Sequence, residues 1–342
     1  MNPQTAPDRE GALDACQRSI FYLRVSVTDR CNLRCVYCMP EKGVELVPMD
    51  EVLSYEQIRD IVRVAASLGL RRVRLTGGEP LARKGLVDLV AMINEIPGIE
   101  DIALTTNGVA LARSAQQLAS VGLRRVNVSL DTLRPDRFHE ITRVGRLEDV
   151  LEGIEAARDA GLTPIKLNAV VIAGLNDDEV VDFAASTVGE DWSVRFIELM
   201  PFAALENRDQ HTSSTDGFVS NETTRRLIED ALGRLQNAAP VDGNGPASYY
   251  RLPGAKGTIG FISPLSDEGF CGRCNRMRLT ATGKLRPCLL TDSEIDLRPA
   301  LQAGDPEAIR ERILEALAVK PDAHHLRDGN RPRRHRMARI GG

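Results

Sequence analysis

The sequence has no long apolar run, no apolar secretion signal and little net charge, and each shortage excludes a class of protein. No stretch of the 342 residues reaches the length of a membrane span without a charge, and the N-terminus is polar. The net charge of −4 at pH 7 gives no reason to expect a nucleic-acid partner. We therefore expect a cytoplasmic globular protein with neither a membrane nor a nucleic acid as partner.

Cysteine is scarce but clustered, and each cluster lacks a fourth ligand. Six of the seven cysteines form two triplets, spaced C-x3-C-x2-C and C-x2-C-x13-C. The triplets are Cys31, Cys35 and Cys38, and Cys271, Cys274 and Cys288. A closed structural zinc site takes four ligands, whereas a [4Fe–4S] cluster held by three cysteines keeps one iron free for a small molecule. The triplets predict two such clusters, with zinc as the alternative, and Cys16 has no assigned role.

Strand-like and helix-like segments alternate from Phe21 to about Ile197, which predicts a parallel sheet with right-handed crossovers. Helix-like runs such as SYEQIRDIVRVAASLG and DVLEGIEAARDAG separate the strands. The six strand candidates are FYLRVSV, RRVRL, DIALT, RRVNVSL, TPIKLNAVVI and SVRFIEL. Six units predict an α/β fold with a partial (β/α)6 TIM-like barrel, open on one side. A full eight-stranded barrel is the alternative, but the units are too few.

The alternation ends after Pro201. A polar loop over 202–220 precedes a helix (TTRRLIEDALGRL), short strands (SYYRL, TIGFISPL), the second triplet and a charged helix near 306–319. We expect a barrel domain over 1–200. We expect a C-terminal α+β extension over 201–342 that carries the second cluster and ends in a basic tail.

Polar and glycine-rich motifs follow the first two strands. The first triplet comes directly after the first strand, and in parallel α/β folds the site lies at the carboxyl ends of strands. Tyr37 gives this loop an aromatic flank. In TGGEP, after the second strand, Gly78 lets backbone approach a ligand and Glu79 can accept from an ammonium. Alone, such a glycine pair is usually only a turn.

The pairing of CNLRCVYC with TGGEP resembles the radical S-adenosylmethionine superfamily. The resemblance implies a [4Fe–4S] cluster on the first triplet, whose open iron chelates the amino and carboxylate groups of S-adenosylmethionine. It also implies that strand-end residues hold this cofactor; a purely structural cap is the alternative for each. The cofactor residues are Tyr37, Gly78, Glu79, Ser129 and Met200.

An R-x-R pair comes just after the second cysteine of the second triplet, and this combination is similar to the branch of the superfamily that acts on GTP in molybdenum cofactor biosynthesis. The likeness runs from Leu23 to Gly342 and includes LRVSVTDRC, LTTNG, RFIELMP and the terminal IGG. It implies a lyase reaction that gives (8S)-3′,8-cyclo-7,8-dihydroguanosine 5′-triphosphate. It also implies a reductase or flavodoxin-like electron donor, a downstream cyclic pyranopterin monophosphate synthase and a homodimer.

Cations interrupt the apolar strands. They are costly near a core unless they meet anions, and a triphosphate would meet several at once. The predicted substrate-binding residues are Arg24, Arg74, Thr105, Lys166, Arg195, Arg276 and Arg278. For Arg72, surface charge is an equal alternative. The resemblance gives Arg276 and Arg278 a catalytic role as well.

The basic tail ends in Gly341 and Gly342. The resemblance implies that these glycines enter the active site and position an arginine; a frayed terminus is the alternative. The segment over 202–220 departs from the family's pattern. Two other functions remain open: a radical enzyme that modifies a peptide, and a zinc-dependent nucleic-acid-binding protein that uses the tail.

Overall fold

The computed structural model describes residues 11–201, 217–242, 245–324 and 326. Most of the predicted loop over 202–220 lies outside these residues, as does the basic tail with Gly341 and Gly342. None of the described helices combines the length and apolar character that a membrane crossing requires.

Six parallel strands form the centre of one sheet, and each pairs with the next along the chain. They are β3 (Tyr22–Ser26), β4 (Arg72–Thr76), β5 (Asp101–Thr106), β6 (Arg125–Ser129), β7 (Lys166–Val171) and β8 (Ser193–Glu198). The connecting helices are α1 (Tyr55–Ser67), α2 (Leu86–Asn94), α3 (Ala115–Ser120), α4 (Pro135–Thr142), α5 (Leu147–Asp159) and α6 (Val180–Gly189). Because β3 and β8 do not pair with each other, the barrel stays open, and the predicted partial (β/α)6 fold is confirmed.

The local sequence explains why these elements form. Helix α1 begins in a capping box: the Ser54 hydroxyl accepts from the Gln57 amide at 3.2 Å, and the Gln57 side chain accepts from the Ser54 amide at 2.9 Å. One face of this helix carries the buried residues Ile58, Ile61, Val62 and Ala65. This apolar stripe joins the core beneath the sheet.

The C-terminal residues extend the sheet at both edges, so that the described part of it has twelve strands. Beside β8 lie β11 (Thr258–Ile262), β10 (Ser248–Arg251) and β9 (Gln236–Asn237), and beside β3 lie β12 (Arg276–Leu279), β13 (Lys284–Arg286) and β14 (Ile295–Asp296). The remaining helices are α7 (Asn221–Leu232), α8 (Arg298–Ala303) and α9 (Pro306–Ala318). A separate hairpin of β1 (Ala12–Leu13) and β2 (Ser19–Ile20) precedes the barrel. The division at residue 200 stays a prediction.

Candidate active site

Both cysteine triplets line one cavity of about 310 Å³. The first triplet follows the carboxyl end of β3. The second lies at the end of the β12–β13 hairpin where β12 begins and β13 stops. Because β12 pairs in parallel with β3, the triplets lie beyond opposite ends of this strand pair. A volume of this size is typical of small-molecule sites.

The loop that carries the first triplet is held against the TGGEP turn by its backbone. The amide of Gly78 donates to the Thr28 carbonyl at 2.7 Å, and the amide of Glu79 donates to the Arg30 carbonyl at 2.7 Å. A Cβ atom on Gly78 would lie 2.3 Å from the Arg30 oxygen, which no side chain tolerates. The glycine is therefore needed for the contact between two loops, a reason that sequence analysis did not foresee.

The thiols of the first triplet are half-buried and form no disulfide bond. Burial raises the pKa of Cys31, and burial and the neighbouring Cys38 raise the pKa of Cys35 well above its usual value. Three adjacent thiolates are therefore stable here only with a strongly cationic ligand, and the iron of a cluster is such a ligand. The donor set fits a three-cysteine cluster.

A single metal ion fits the described residues less well. Thiolates that share one zinc ion lie about 4 Å apart, because each Zn–S bond is about 2.3 Å long. Among the described residues, no three His, Cys, Asp or Glu side chains converge in this way. The thiolates of a cubane each bind a different iron and lie farther apart.

Tyr37 is fixed by a partner that sequence analysis missed. Its hydroxyl donates to Asp131 Oδ2 at 2.7 Å, and Asp131 Oδ1 accepts from the Val170 amide at 2.8 Å. Burial raises the pKa of Asp131 to about 6. The contact joins the first cysteine loop to the ends of β6 and β7. No motif marks it, because Tyr37 and Asp131 are 94 residues apart.

Glu79 is buried, and its carboxylate is oriented by three donors. Oε1 accepts from the Thr106 hydroxyl at 2.7 Å and the Leu81 amide at 3.0 Å, and Oε2 accepts from the Asn107 amide at 2.7 Å. Burial outweighs these hydrogen bonds and raises the pKa of Glu79 to about 7. A cationic ligand would therefore restore the charge of this carboxylate.

The second triplet has a more cationic environment. Burial opposes ionisation, but the charges of Arg276 and Lys320 lower the pKa of Cys274 to about 7. Each thiol also accepts an N–H group. The donors are the His324 amide to Cys271, the Lys320 ammonium to Cys274, and the Leu290 amide to Cys288 at 3.4 Å.

A row of arginines crosses the sheet between the triplets. Arg278, Arg24 and Arg74 are register neighbours on β12, β3 and β4, so their side chains leave the same face. Burial, followed by mutual repulsion, lowers the pKa of Arg24 and lowers that of Arg278 to about 10. Arg195 is 3% exposed, and its Nε has no hydrogen-bond partner among the described residues. Cations buried in this way are stabilised by a polyanion.

Comparison with known proteins decides the family. A model of the radical SAM superfamily matches residues 25–186, and a model described as Molybdenum Cofactor Synthesis C matches residues 192–326. A GTP 3′,8-cyclase of Heliobacterium modesticaldum is 53% identical over 334 residues, 96% of this chain and 100% of the relative. One of Pelotomaculum thermopropionicum is 53% identical over 330 residues, 96% and 99% of the two chains. The chain belongs to the GTP 3′,8-cyclase family.

Solved structures share the fold of this GTP 3′,8-cyclase family member at much lower identity. Streptococcus suis SuiB has a TM-score of 0.62 and 13% identity, and the match covers 90% of this chain and 67% of SuiB. The structure of anSMEcpe with bound AdoMet has a TM-score of 0.57 and 13% identity, with 90% and 79% covered. The predicted cofactors, two [4Fe–4S] clusters and S-adenosylmethionine, are those of the GTP 3′,8-cyclase family and are confirmed.

Most residues predicted for this GTP 3′,8-cyclase site face the cavity. Its lining includes Tyr37, Gly78, Glu79, Ser129, Met200, Arg24, Arg74, Thr105, Arg195, Arg276 and Arg278. Lys166 is not among the lining residues; it is fully buried, and its ammonium donates to the Val241 carbonyl at 3.3 Å and to that of Asp242. Burial and nearby arginines lower the pKa of Lys166 to about 6. Gly341 and Gly342 lie outside the described residues, and the individual roles stay predictions.

Proposed function

We propose that this chain converts GTP to (8S)-3′,8-cyclo-7,8-dihydroguanosine 5′-triphosphate, the first step of molybdenum cofactor biosynthesis. The observation that carries the proposal is that two three-cysteine loops and a row of buried and half-buried arginines line one cavity. A peptide substrate would have no need for so many buried cations. A triphosphate supplies the negative charges that these cations need as partners.

The first triplet and its neighbours form the S-adenosylmethionine site. Cys31, Cys35 and Cys38 hold the cluster, which, when bound with S-adenosylmethionine and reduced, supplies the 5′-deoxyadenosyl radical for hydrogen abstraction. The chain's own residues orient the cofactor. Glu79 accepts from its ammonium, Tyr37 flanks its base, and Gly78, Ser129 and Met200 complete the wall.

The second triplet and the arginines form the GTP site. Cys271, Cys274 and Cys288 would hold the second cluster, which would bind the guanine base. Guanidinium forks match phosphate oxygens in bidentate fashion, so the arginine row holds the triphosphate and fixes the ribose between the two triplets. The proposed substrate residues are Arg24, Arg74, Thr105, Lys166, Arg195, Arg276 and Arg278.

The C-terminal glycines complete the proposal. Gly341 and Gly342 lie outside the described residues, and we propose that they enter the site and orient Arg276 or Arg278. Two residues without side chains fit a crowded site. A reductase or flavodoxin-like protein supplies the electron, a cyclic pyranopterin monophosphate synthase takes the product, and the chain works as a homodimer in the cytoplasm.

The test is anaerobic incubation of the reconstituted protein with S-adenosylmethionine, a reductant and each nucleoside triphosphate in turn. We expect about eight irons per chain, 5′-deoxyadenosine formation and a cyclised product from GTP alone. Cys31→Ala should abolish both products, while Cys271→Ala should retain some 5′-deoxyadenosine without cyclisation. Removal of Gly341 and Gly342 should spare both clusters and lower only the cyclisation rate. Cyclisation at the wild-type rate by Cys271→Ala would contradict the proposed substrate site.

A further inference from the structure

Lys320 is a buried lysine directed into the second cysteine loop. It lies just beyond the end of α9, and only 4% of it is exposed. Its ammonium donates to the Arg276 carbonyl at 3.0 Å, to the Pro287 carbonyl at 2.5 Å and to the Cys274 thiol. An ammonium has three N–H donors, and all three are used on residues that flank or belong to the second triplet.

Lys320 differs from its neighbour Arg18 in its counter-ions. Within the described part of the chain, no Asp or Glu pairs with it, whereas nearby Arg18 pairs with Asp14 at 2.7 Å. Burying a cation is costly unless an anion compensates it. The thiolates of the second triplet are the anions that Lys320 reaches, so its burial is explained by a negatively charged group in this loop.

We propose that Lys320 is the counter-charge of the second cluster and raises its reduction potential. The inference rests on the proposed cluster at the second triplet and deepens it. An added electron makes a thiolate-ligated cluster more negative, so a fixed cation in hydrogen-bond contact with a ligand sulfur stabilises the reduced form more than the oxidised form. Hydrogen bonds to the sulfurs and local charge are the means by which proteins set cluster potentials.

At the first triplet, the donors described for the Cys31 thiol carry no charge, and the nearby Arg34 donates to the Cys31 and Leu33 carbonyls instead, at 2.7 and 2.8 Å. Cys31 accepts from the Leu33 amide at 3.4 Å and, weakly, from the Asn107 amide group at 3.9 Å, both of which are neutral. The effect of Lys320 should therefore be confined to one of the two clusters. This asymmetry separates an electrostatic role from a general effect on folding.

The experiment is a redox titration of the full-length protein with both clusters, followed by electron paramagnetic resonance. The signal of the second cluster is the one lost in Cys271→Ala. Lys320→Met keeps the apolar stem and removes the charge and the donors, and Lys320→Arg keeps the charge. Lys284→Met is the matched control, because Lys284 lies on β13 and pairs with Glu294 at 3.0 Å instead.

We expect Lys320→Met to disfavour reduction of the second cluster at least tenfold, which for one electron is about 59 mV. The first cluster should be unchanged, Lys320→Arg should lie near the wild type, and Lys284→Met should change neither potential. An unshifted second potential at full iron content, or equal shifts of both clusters, would overturn the proposal.

Loss of the cluster is also informative. If Lys320→Met retains only about four irons, Lys320→Gln, which keeps N–H donors without the charge, replaces it in the titration. If the second cluster is retained in Lys320→Arg but lost in both Lys320→Met and Lys320→Gln, the counter-charge is supported. If the cluster is lost in all three variants, the proposal is refuted. A wild-type protein with a single cluster signal would instead contradict the proposed function itself.

Discussion

Binding of S-adenosylmethionine should depend on pH through Glu79. Burial raises the pKa of this carboxyl to about 7, so near pH 7 the ligand-free protein holds it half protonated. The proposed ammonium contact requires the carboxylate, and the bound cation lowers the pKa again. Binding therefore releases a proton below pH 7, and affinity falls as the pH falls through the pKa of the free protein.

The size of the effect follows from that pKa. Between pH 8 and pH 6 the charged fraction of Glu79 falls roughly tenfold, which weakens binding by about 1.4 kcal/mol. Glu79→Gln removes the titration and should make the profile flat. A glutamine amide has one acceptor oxygen where the carboxylate has two. Either the Asn107 amide or the Thr106 and Leu81 donors therefore lose their acceptor. At pH 8 we expect binding to be roughly tenfold to a hundredfold weaker, about 1.5–3 kcal/mol.

The assay is calorimetric titration of the anaerobic, reconstituted protein with S-adenosylmethionine at pH 6, 7 and 8. Glu179→Gln is the matched control. Glu179 is also fully buried and accepts from a hydroxyl and an amide, those of Thr132 at 2.6 Å and Leu133 at 2.8 Å, but it does not line the cavity. Parallel profiles for the wild type and Glu79→Gln would refute the reasoning.

Three further predictions concern the cavity wall. Gly78→Ala should lose about half of the iron, because its Cβ would lie 2.3 Å from a backbone oxygen of the first cysteine loop; Gly189→Ala, with open space around it, should lose none by iron assay. Arg195→Met should raise the unfolding free energy of the ligand-free protein by about 1–3 kcal/mol and weaken GTP binding. A variant that loses stability and GTP affinity to the same extent would argue against the anion site. Asp131→Asn and Tyr37→Phe should show a coupling energy of roughly 1 kcal/mol in a double-mutant cycle of chemical denaturation, and additivity would contradict the hydrogen bond.

The central strands were predictable because their signals are local. Each of the six is a short apolar run of the kind that parallel strands buried on both faces require. Strand β12 and its partner β13 escaped prediction because they are only 4 and 3 residues long and lie outside the alternation of strands and helices.

The cysteines of the site were predictable, but the residues that support them were not. Metal-ligand spacing is visible in the sequence, whereas the contact of Tyr37 with Asp131 joins residues 94 positions apart. Lys320 presents the same difficulty, since a lysine after a helix is usually solvated. Such partners are set by the packing of distant loops, and no local pattern encodes them.

The order of charges along the cavity supports the proposed positions of the two ligands. Buried carboxyls, Glu79 and Asp131, lie near the first triplet, and both have a raised pKa that a cation would lower. Lys320 and Arg276 lie at the second triplet. S-adenosylmethionine carries a sulfonium and an ammonium, and GTP carries a triphosphate. Exchanging the two ligands would place cations against buried arginines and phosphates against buried carboxyls. Desolvation and repulsion would make each of these contacts cost on the order of 2–5 kcal/mol. The charges of the cavity therefore favour the proposed arrangement by electrostatics before any cluster contact is made.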